Sequence, residues 1–275
     1  MTVSDIKALL QQEGLTPNKA LGQNFLADEG AARRIAEASG AVEYPVLEIG
    51  PGLGALTEML LSVSPFVTAV EIDAAMVRVL QKRFGESSKF SLLHEDFLKT
   101  DLSSLSALQS GCAVAANLPY YVTTPICMKL LTSSLPIKSM ALMLQKEAAD
   151  RFFAQPSSRQ YGPLSVLARH YYDVSPLMSL SPQSYYPQPE VDSSVILLTR
   201  KEDAEELPFL PRTLDAAFAM RRKTMLNNIK AAGFSKEETE ALLTEAGIAP
   251  SARAEALPIE AFVQLASAWE IAIEA

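Results

Sequence analysis

The segment Asn117-Leu118-Pro119-Tyr120 combines residue types suited to chemistry on the exocyclic amine of a nucleobase. Such an amine is a poor nucleophile because its lone pair is delocalised into the ring. The Asn117 side-chain oxygen and the Leu118 backbone carbonyl can accept its hydrogens as positive charge develops on the nitrogen. Pro119 stiffens the turn, and Tyr120 offers a flat face on which an extruded base can stack. The segment therefore predicts methylation of a base amine, with these four residues as the catalytic ones.

A purely structural interpretation of this segment accounts for less of it. An exposed turn uses Asn and Pro for its geometry. It has little use for Tyr120 and Tyr121 beside them. The aromatic pair favours the chemical interpretation.

A glycine-rich turn earlier in the chain is typical of a nucleotide-like cofactor site. Gly50 and Gly52 lie between a predicted strand and a predicted helix, where glycine permits a tight turn and close approach of a ligand. Glu71 follows about 20 residues later at the end of the next strand, where it can accept hydrogen bonds from ribose hydroxyls. Asp96 ends a third strand, where a cofactor adenine can donate to its carboxylate.

The same glycine pattern leaves one alternative open. Gly50-x-Gly52-x-x-Ala55 also fits an NAD-dependent dehydrogenase. That interpretation supplies no hydride-transfer site and leaves Asn117 to Tyr120 unexplained.

The elements that must position these residues alternate through the first 200 residues. Continuous apolar runs are typical of strands buried on both faces, and their alternation with helices predicts an α/β, doubly wound, Rossmann-like parallel sheet. The predicted strands are 46–49, 66–71, 90–93, 112–116, 140–144 and 195–199. The predicted helices are 28–39, with Asp28 as its N-cap, and 55–62, 74–84 and 125–131.

The alternation fades after about residue 200, at the charged run 201–206. Short helices are predicted beyond it, at 214–219, 224–232, 236–246 and 259–272. We therefore expect a catalytic domain, 1–203, and a small all-helical C-terminal domain, 204–275. Arg221-Arg222-Lys223 in the second domain is the densest basic run, and a solvated helix start is the alternative to an RNA contact.

Composition limits the classes of function. The net charge of −8 argues mildly against nucleic acid, so RNA binding requires a locally basic face. No run of about 18 apolar residues and no secretory signal is evident, so we expect a cytoplasmic protein without a membrane span. Cys112 and Cys127 are predicted core thiols, and the absence of Cys or His clusters predicts no metal site.

In these motifs the chain resembles the ribosomal RNA adenine N6-dimethyltransferase family, whose bacterial members modify the small-subunit RNA. The resemblance begins at Leu21-Gly-Gln-Asn-Phe-Leu26 and continues through the glycine turn and Asn117 to Tyr120. Later matches are 145–147, 186–193, 218–224 and 253–257. The resemblance covers essentially the whole chain.

The resemblance implies S-adenosylmethionine as the cofactor and assigns residues to it. Asn24 and Leu26 are expected to fold over its methionine end, and Asn117 is expected to be shared between cofactor and target. The implied cofactor-binding residues are Asn24, Leu26, Gly50, Gly52, Glu71, Asp96 and Asn117.

The resemblance also implies residues that bind the RNA. Tyr186 is assigned to the aromatic position of the family's F-x-P-x-P segment, whose ring sandwiches the target base together with Tyr120. Arg221, Arg222 and Lys223 are expected near the RNA cleft. At Glu190 the family more commonly has lysine, so positive charge is missing near the expected pocket.

The implied reaction is methyl transfer to N6 of two adjacent adenosines in the 3′-terminal hairpin of 16S rRNA, within the small ribosomal subunit or its precursor, during ribosome biogenesis. The enzyme is expected to be a monomer. Two alternatives remain open: a 23S rRNA adenine N6-methyltransferase of the macrolide-resistance type, and a small-subunit assembly factor whose binding role outweighs catalysis.

Overall fold

The computed structural model describes residues 1–274; Ala275, the last residue of the predicted C-terminal domain, lies outside them. The described part contains eleven α-helices and nine β-strands. The helices are α1 (Val3–Gln12), α2 (Glu29–Ala38), α3 (Ala55–Val63), α4 (Ala74–Phe84), α5 (Thr123–Leu131), α6 (Lys146–Phe153), α7 (Pro163–Tyr171), α8 (Leu210–Phe218), α9 (Met225–Ala231), α10 (Lys236–Glu245) and α11 (Ile259–Glu274). The strands are β1 (Phe25–Leu26), β2 (Val46–Ile49), β3 (Val67–Glu71), β4 (Phe90–His94), β5 (Cys112–Asn117), β6 (Ile137–Gln145), β7 (Tyr172–Leu180), β8 (Tyr185–Tyr186) and β9 (Ser193–Arg200).

Seven strands form one sheet in the order β4-β3-β2-β5-β6-β9-β7. Strands β4, β3, β2, β5 and β6 are parallel, with Val46 of β2 paired to Val67 of β3 and to Ala113 of β5. Strands β2, β3 and β5 are buried and mostly apolar because helices cover both faces of such a sheet. The predicted parallel sheet is confirmed for these five strands. It is wrong for β9, which runs antiparallel to β6.

Helices α2 and α3 bury the sheet through small and branched apolar side chains, among them Ile35 and Leu60, which are fully buried. Asp28 caps α2 as predicted, since its side chain accepts a hydrogen bond of 2.9 Å from the Ala31 amide. A separate two-stranded ribbon pairs β1 with β8, with Phe25 opposite Tyr186 and Leu26 opposite Tyr185.

The chain divides into two compact units, and the division differs from the predicted domain boundary. The first unit comprises Met1–Ala149 and Asp173–Arg200, so its end lies close to the predicted residue 203. The second unit begins at Lys201 but also includes Asp150–Tyr172, which we expected in the first domain.

Asp150–Tyr172 belongs to the second unit because it contacts the C-terminal part of the chain. The Tyr161 hydroxyl donates to the Leu257 carbonyl at 2.9 Å, and the Tyr161 ring packs edge-on against Phe218. Phe218 in turn stacks on Phe262 of α11. Helix α7, which follows Tyr161, likewise packs against α8 and α11, which are distant in sequence. In the described part, no helix combines the length and apolar character needed to span a membrane.

Candidate active site

A cavity of about 300 Å³ lies in the first unit, where the parallel strands end. Strand order reverses between β2 and β5, and a crevice opens at the carboxyl ends of strands at such a point. The cavity is lined from the ends of β2, β3 and β5, from the segment that follows β4, and from residues 21–26. The predicted residues that line it are Asn24, Leu26, Gly50, Gly52, Glu71, Asp96, Asn117, Leu118, Pro119 and Tyr120.

The glycine turn is built from left-handed backbone. Gly50 and Gly52 have φ angles of 64° and 57°, a conformation that side chains with a Cβ rarely adopt. At Gly52 a Cβ would also lie 3.1 Å from the Phe25 ring. The turn therefore requires glycine for its conformation and, at Gly52, for the close approach of residue 25 from the ribbon.

Glu71 is fixed by two backbone amides. Its Oε2 accepts from the Gly52 amide at 3.0 Å, and its Oε1 accepts from the Asp73 amide at 2.9 Å. Burial raises the pKa of the carboxyl, and the two amides oppose that shift. Each oxygen keeps a lone pair that can accept a further hydrogen bond, which suits a ribose diol.

Asp96 is held at the cavity by a loop that Lys129 of α5 anchors. The Lys129 ammonium donates to the carbonyls of Phe97, Leu98 and Thr100 at 2.8, 3.1 and 2.6 Å. The Asp96 carboxylate itself accepts from the Leu98 amide at 3.0 Å. Lys129 was not identified from the sequence, because its partners are backbone atoms in a distant segment.

The Asn117 amide is oriented by a contact with the segment before α2. Its Nδ2 donates to the Asn24 carbonyl at 3.0 Å. A carbonyl oxygen only accepts, so this bond determines which end of the amide faces Asn24 and leaves Oδ1 as the acceptor for a ligand. The Asn24 side chain meanwhile donates to the Gly22 carbonyl at 3.1 Å, which shapes the segment that presents the backbone oxygen.

Tyr120 is held by the sheet. Its hydroxyl lies 3.1 Å from the Ser193 hydroxyl on β9, which is 1% exposed. Partial burial raises the pKa of the Tyr120 hydroxyl, so the ring stays neutral. Leu118 is anchored to β6, since its amide donates to the Met143 carbonyl at 3.1 Å. The turn from Leu118 to Tyr120 is thus attached to two strands.

Glu48 in the middle of β2 lines the cavity and was not assigned a role from the sequence. It is 1% exposed, and burial raises its pKa to about 8. Within residues 1–274 its Oε2 atom has no hydrogen-bond partner. An acid within the apolar run Val46-Leu47-Glu48-Ile49 was the signal for it, because a carboxyl is rarely buried in a strand without a ligand or partner.

The structure does not place Tyr186 in the cavity. Its ring packs against the apolar cluster of Ile6 and Phe25, with the Lys7 ammonium 5.2 Å from the ring centroid. The assignment from the family segment also requires a correction, because F-x-P-x-P ending at Pro189 begins at Tyr185.

Tyr185 occupies the opposite face of β8 from Tyr186. It is 1% exposed and belongs to the core cluster with Leu26. Burial raises the pKa of its hydroxyl. Stacking of either ring on a target base is therefore not supported by its placement.

The basic run lies in the second unit, in the turn between α8 and α9. Arg221 pairs with Glu255 at 3.7 Å and donates to the Arg159 carbonyl at 3.1 Å. Arg222 and Lys223 are exposed. No cluster of three potential metal ligands occurs among the side chains that the structure describes.

Comparisons with known proteins agree with this geometry. The model of a family described as Ribosomal RNA adenine dimethylase matches residues 14–270. The chain is 42% identical over 279 residues to Ribosomal RNA small subunit methyltransferase A of Shouchella clausii, covering 97% of this chain and 94% of that one. It is likewise 42% identical over 272 residues to the protein of the same name from Bacillus licheniformis, with coverage of 94% and 93%.

Two solved structures are similar in fold. A dimethyladenosine transferase from Plasmodium falciparum has a TM-score of 0.71 and 24% identity, covering 88% of this chain and 95% of that one. The 23S rRNA methyltransferase ErmE has a TM-score of 0.62 and 23% identity, covering 90% and 100%. These similarities confirm the predicted α/β methyltransferase fold.

Proposed function

Because the chain belongs to the ribosomal RNA adenine dimethylase family, we propose that it transfers methyl groups from S-adenosylmethionine to N6 of two adjacent adenosines in the 3′-terminal hairpin of 16S rRNA. Adenine dimethylation in ribosomal RNA is the reaction of the family. The donor, the two positions, action on the small subunit or its precursor in the cytoplasm, and a monomeric state are parts of the proposal. Relatives with 40–42% identity that are named for the small subunit support the choice of 16S over 23S rRNA.

The oriented Asn117 amide is the observation that carries the proposal. Its Nδ2 is bound to the Asn24 carbonyl, so Oδ1 is the acceptor it offers to an amine. Leu118 and Tyr120 line the same cavity. When a base stacks on Tyr120, its amine would meet Oδ1 of Asn117 and the Leu118 carbonyl. Both oxygens are suited to the positive charge that develops on an attacking nitrogen.

The other end of the cavity fits S-adenosylmethionine. Glu71 offers acceptors for ribose hydroxyls, and Asp96 can accept from an adenine amine. The Glu48 oxygen without a protein partner is a further hydrogen-bonding group in the cavity wall. Together these carboxyls match a ligand that carries hydroxyls and an amine.

S-adenosylmethionine supplies a methyl group bound to a positively charged sulfur. Asn117 and Leu118 hold the amine nitrogen toward that group, and Tyr120 fixes the plane of the base. The methylated nitrogen is acidic and loses its proton to water, so no strong base is required of the chain. Catalysis rests on orientation and on acceptors placed where charge develops.

The test offers the protein radiolabelled S-adenosylmethionine and unmethylated small ribosomal subunits, and maps the modified nucleotides. We expect label on two adjacent adenosines near the 3′ end of 16S rRNA. Label in 23S rRNA from large subunits would support the macrolide-resistance alternative instead. Absence of label in both RNAs would contradict the proposal. Growth rescue of a deletion strain by Asn117→Ala would show that binding outweighs catalysis.

A further inference from the structure

The most exposed aromatic side chain in the described part is Tyr121, beside the cavity residue Tyr120. The sequence has one tryptophan, eight tyrosines and eleven phenylalanines. Within residues 1–274, Tyr121 is the only one of these that is exposed, at 56%. An aromatic ring in water forgoes the burial that stabilises the other rings, so its position at the cavity needs a reason.

The position of Tyr121 is fixed by its neighbours. It lines the cavity together with Tyr120 and Gly22. A Cβ at Gly22 would lie 3.4 Å from Cδ1 of Tyr121, so the ring edge rests on the backbone there. The turn that carries it is closed on the Pro119 carbonyl, which accepts from the Val122 amide at 3.2 Å and the Thr123 hydroxyl at 3.0 Å. The ring is therefore presented by a braced turn.

The proposed reaction leaves one part of the RNA without a binding residue. The site has one Asn117, so it can act on one adenine at a time. The neighbouring nucleotide stays attached to the extruded one through a single phosphodiester and must lie at the cavity mouth. A base unstacked in this way loses its partner in the RNA, and an aromatic face can replace that partner.

We propose that Tyr121 stacks on the base next to the adenine being methylated, and so contributes to recognition of adjacent adenosines. The proposal rests on the proposed function and extends it to the flanking nucleotide. Tyr120 then holds the target base inside the cavity, and Tyr121 holds its neighbour at the mouth. Stacking uses the ring face and does not require the hydroxyl.

Three variants separate ring stacking from simple contact. Tyr121→Phe keeps the ring face, Tyr121→Leu keeps apolar bulk without it, and Tyr121→Ala removes both. The measurement is kcat/KM for methylation of unmethylated small subunits, with binding of S-adenosylhomocysteine followed by its effect on Tm as the control for the cofactor half. We expect wild-type kinetics for Phe. For Leu and Ala we expect roughly 5- to 150-fold lower kcat/KM, the effect of one lost base–aromatic stack, with unchanged S-adenosylhomocysteine binding.

A second arm identifies the base. Small subunits are reconstituted with 16S rRNA that carries an abasic nucleotide on the 5′ or the 3′ side of one target adenosine. With the abasic nucleotide on one of these two sides, we expect the kcat/KM of wild type to fall by the same factor as Tyr121→Ala causes on intact RNA. On that abasic RNA, the kcat/KM of Tyr121→Ala should fall no further.

The outcomes distinguish this inference from the proposed function. If wild type methylates intact subunits and Tyr121→Ala or Tyr121→Leu has the same kcat/KM, stacking by Tyr121 is refuted and the proposed function stands. The same conclusion follows if the loss of kcat/KM caused by the abasic nucleotide and the loss caused by Tyr121→Ala are additive on both the 5′ and the 3′ side. If wild type does not methylate intact subunits, both fail.

Discussion

Replacing Asn117 tests the role of its oriented amide in the methyl transfer. Asn117→Ala removes both the Oδ1 acceptor and the Nδ2 contact to the Asn24 carbonyl at 3.0 Å. Asn117→Asp keeps the size and the acceptor but has no donor for Asn24. A carboxylate oxygen would then face the Asn24 carbonyl oxygen, and neither can donate a hydrogen bond. We therefore expect the carboxylate to turn away from the position that the amide holds.

The magnitudes follow from these two contacts. A hydrogen bond to a charged group contributes about 1.5–3 kcal/mol, so losing the acceptor should lower the rate of methyl transfer roughly 10- to 150-fold in Asn117→Ala. The neutral contact to Asn24 contributes about 0.5–1.5 kcal/mol, so Asn117→Asp should lie between wild type and Ala. The same small term bounds the loss of folding stability, because Asn117 is only partly buried.

The assay is single-turnover transfer of labelled methyl groups to small subunits, which reports the chemical step and not product release. Thermal unfolding and S-adenosylhomocysteine binding show whether each variant keeps its fold and cofactor site. A wild-type rate for Asn117→Ala in a folded protein would refute the acceptor role. A wild-type rate for Asn117→Asp would refute the role of the Asn24 contact.

Three further variants test residues that the structure added. Burial raises the Glu48 pKa from 4.5 to about 8, so between these values the folded protein holds a proton that the unfolded chain releases, and stability is lost as pH rises. Denaturant titrations should find Glu48→Gln more stable than wild type by on the order of a few kcal/mol at pH 8, with the advantage vanishing near pH 5; a constant difference would contradict this. Lys129→Met frees the loop that holds Asp96, so KM for S-adenosylmethionine should rise several-fold while KM for RNA stays unchanged; an equal rise in both would contradict the anchor. Ser193→Ala removes the partner of the Tyr120 hydroxyl and should slow methylation several-fold, yet add nothing to Tyr120→Phe; additive losses would show that Ser193 acts elsewhere.

The sequence predicts the elements around the cavity well because their signals are local. Helix Ala74–Phe84 and strand Val46–Ile49 were predicted with their observed bounds. Strand β7 was missed because its residues are mostly exposed or half-buried and Pro176 interrupts its pattern, as in an edge strand. The transfer of Asp150–Tyr172 to the second unit depends on contacts with residues about 60 to 100 positions away, such as that between Tyr161 and Leu257. No local pattern reports such contacts.

The candidate site shows the same contrast at the level of single residues. Glu71, Asp96 and Asn117 were found because strand ends converge at one edge of a parallel sheet, so their position in sequence implies their position in space. The groups that orient these side chains do not lie at the ends of the parallel strands. Asn24 accepts through its backbone carbonyl, and the Lys129 ammonium donates to backbone carbonyls. Any residue type provides such backbone atoms, so only coordinates reveal these contacts. Tyr185 and Tyr186 show a second limit of sequence motifs. A shift of one residue along a strand moves a side chain to the other face, and these two rings lie in different apolar clusters. A motif assigns a chemical role to a short stretch, but the pairing of β1 with β8 places both of these adjacent rings in apolar clusters away from the cavity lining.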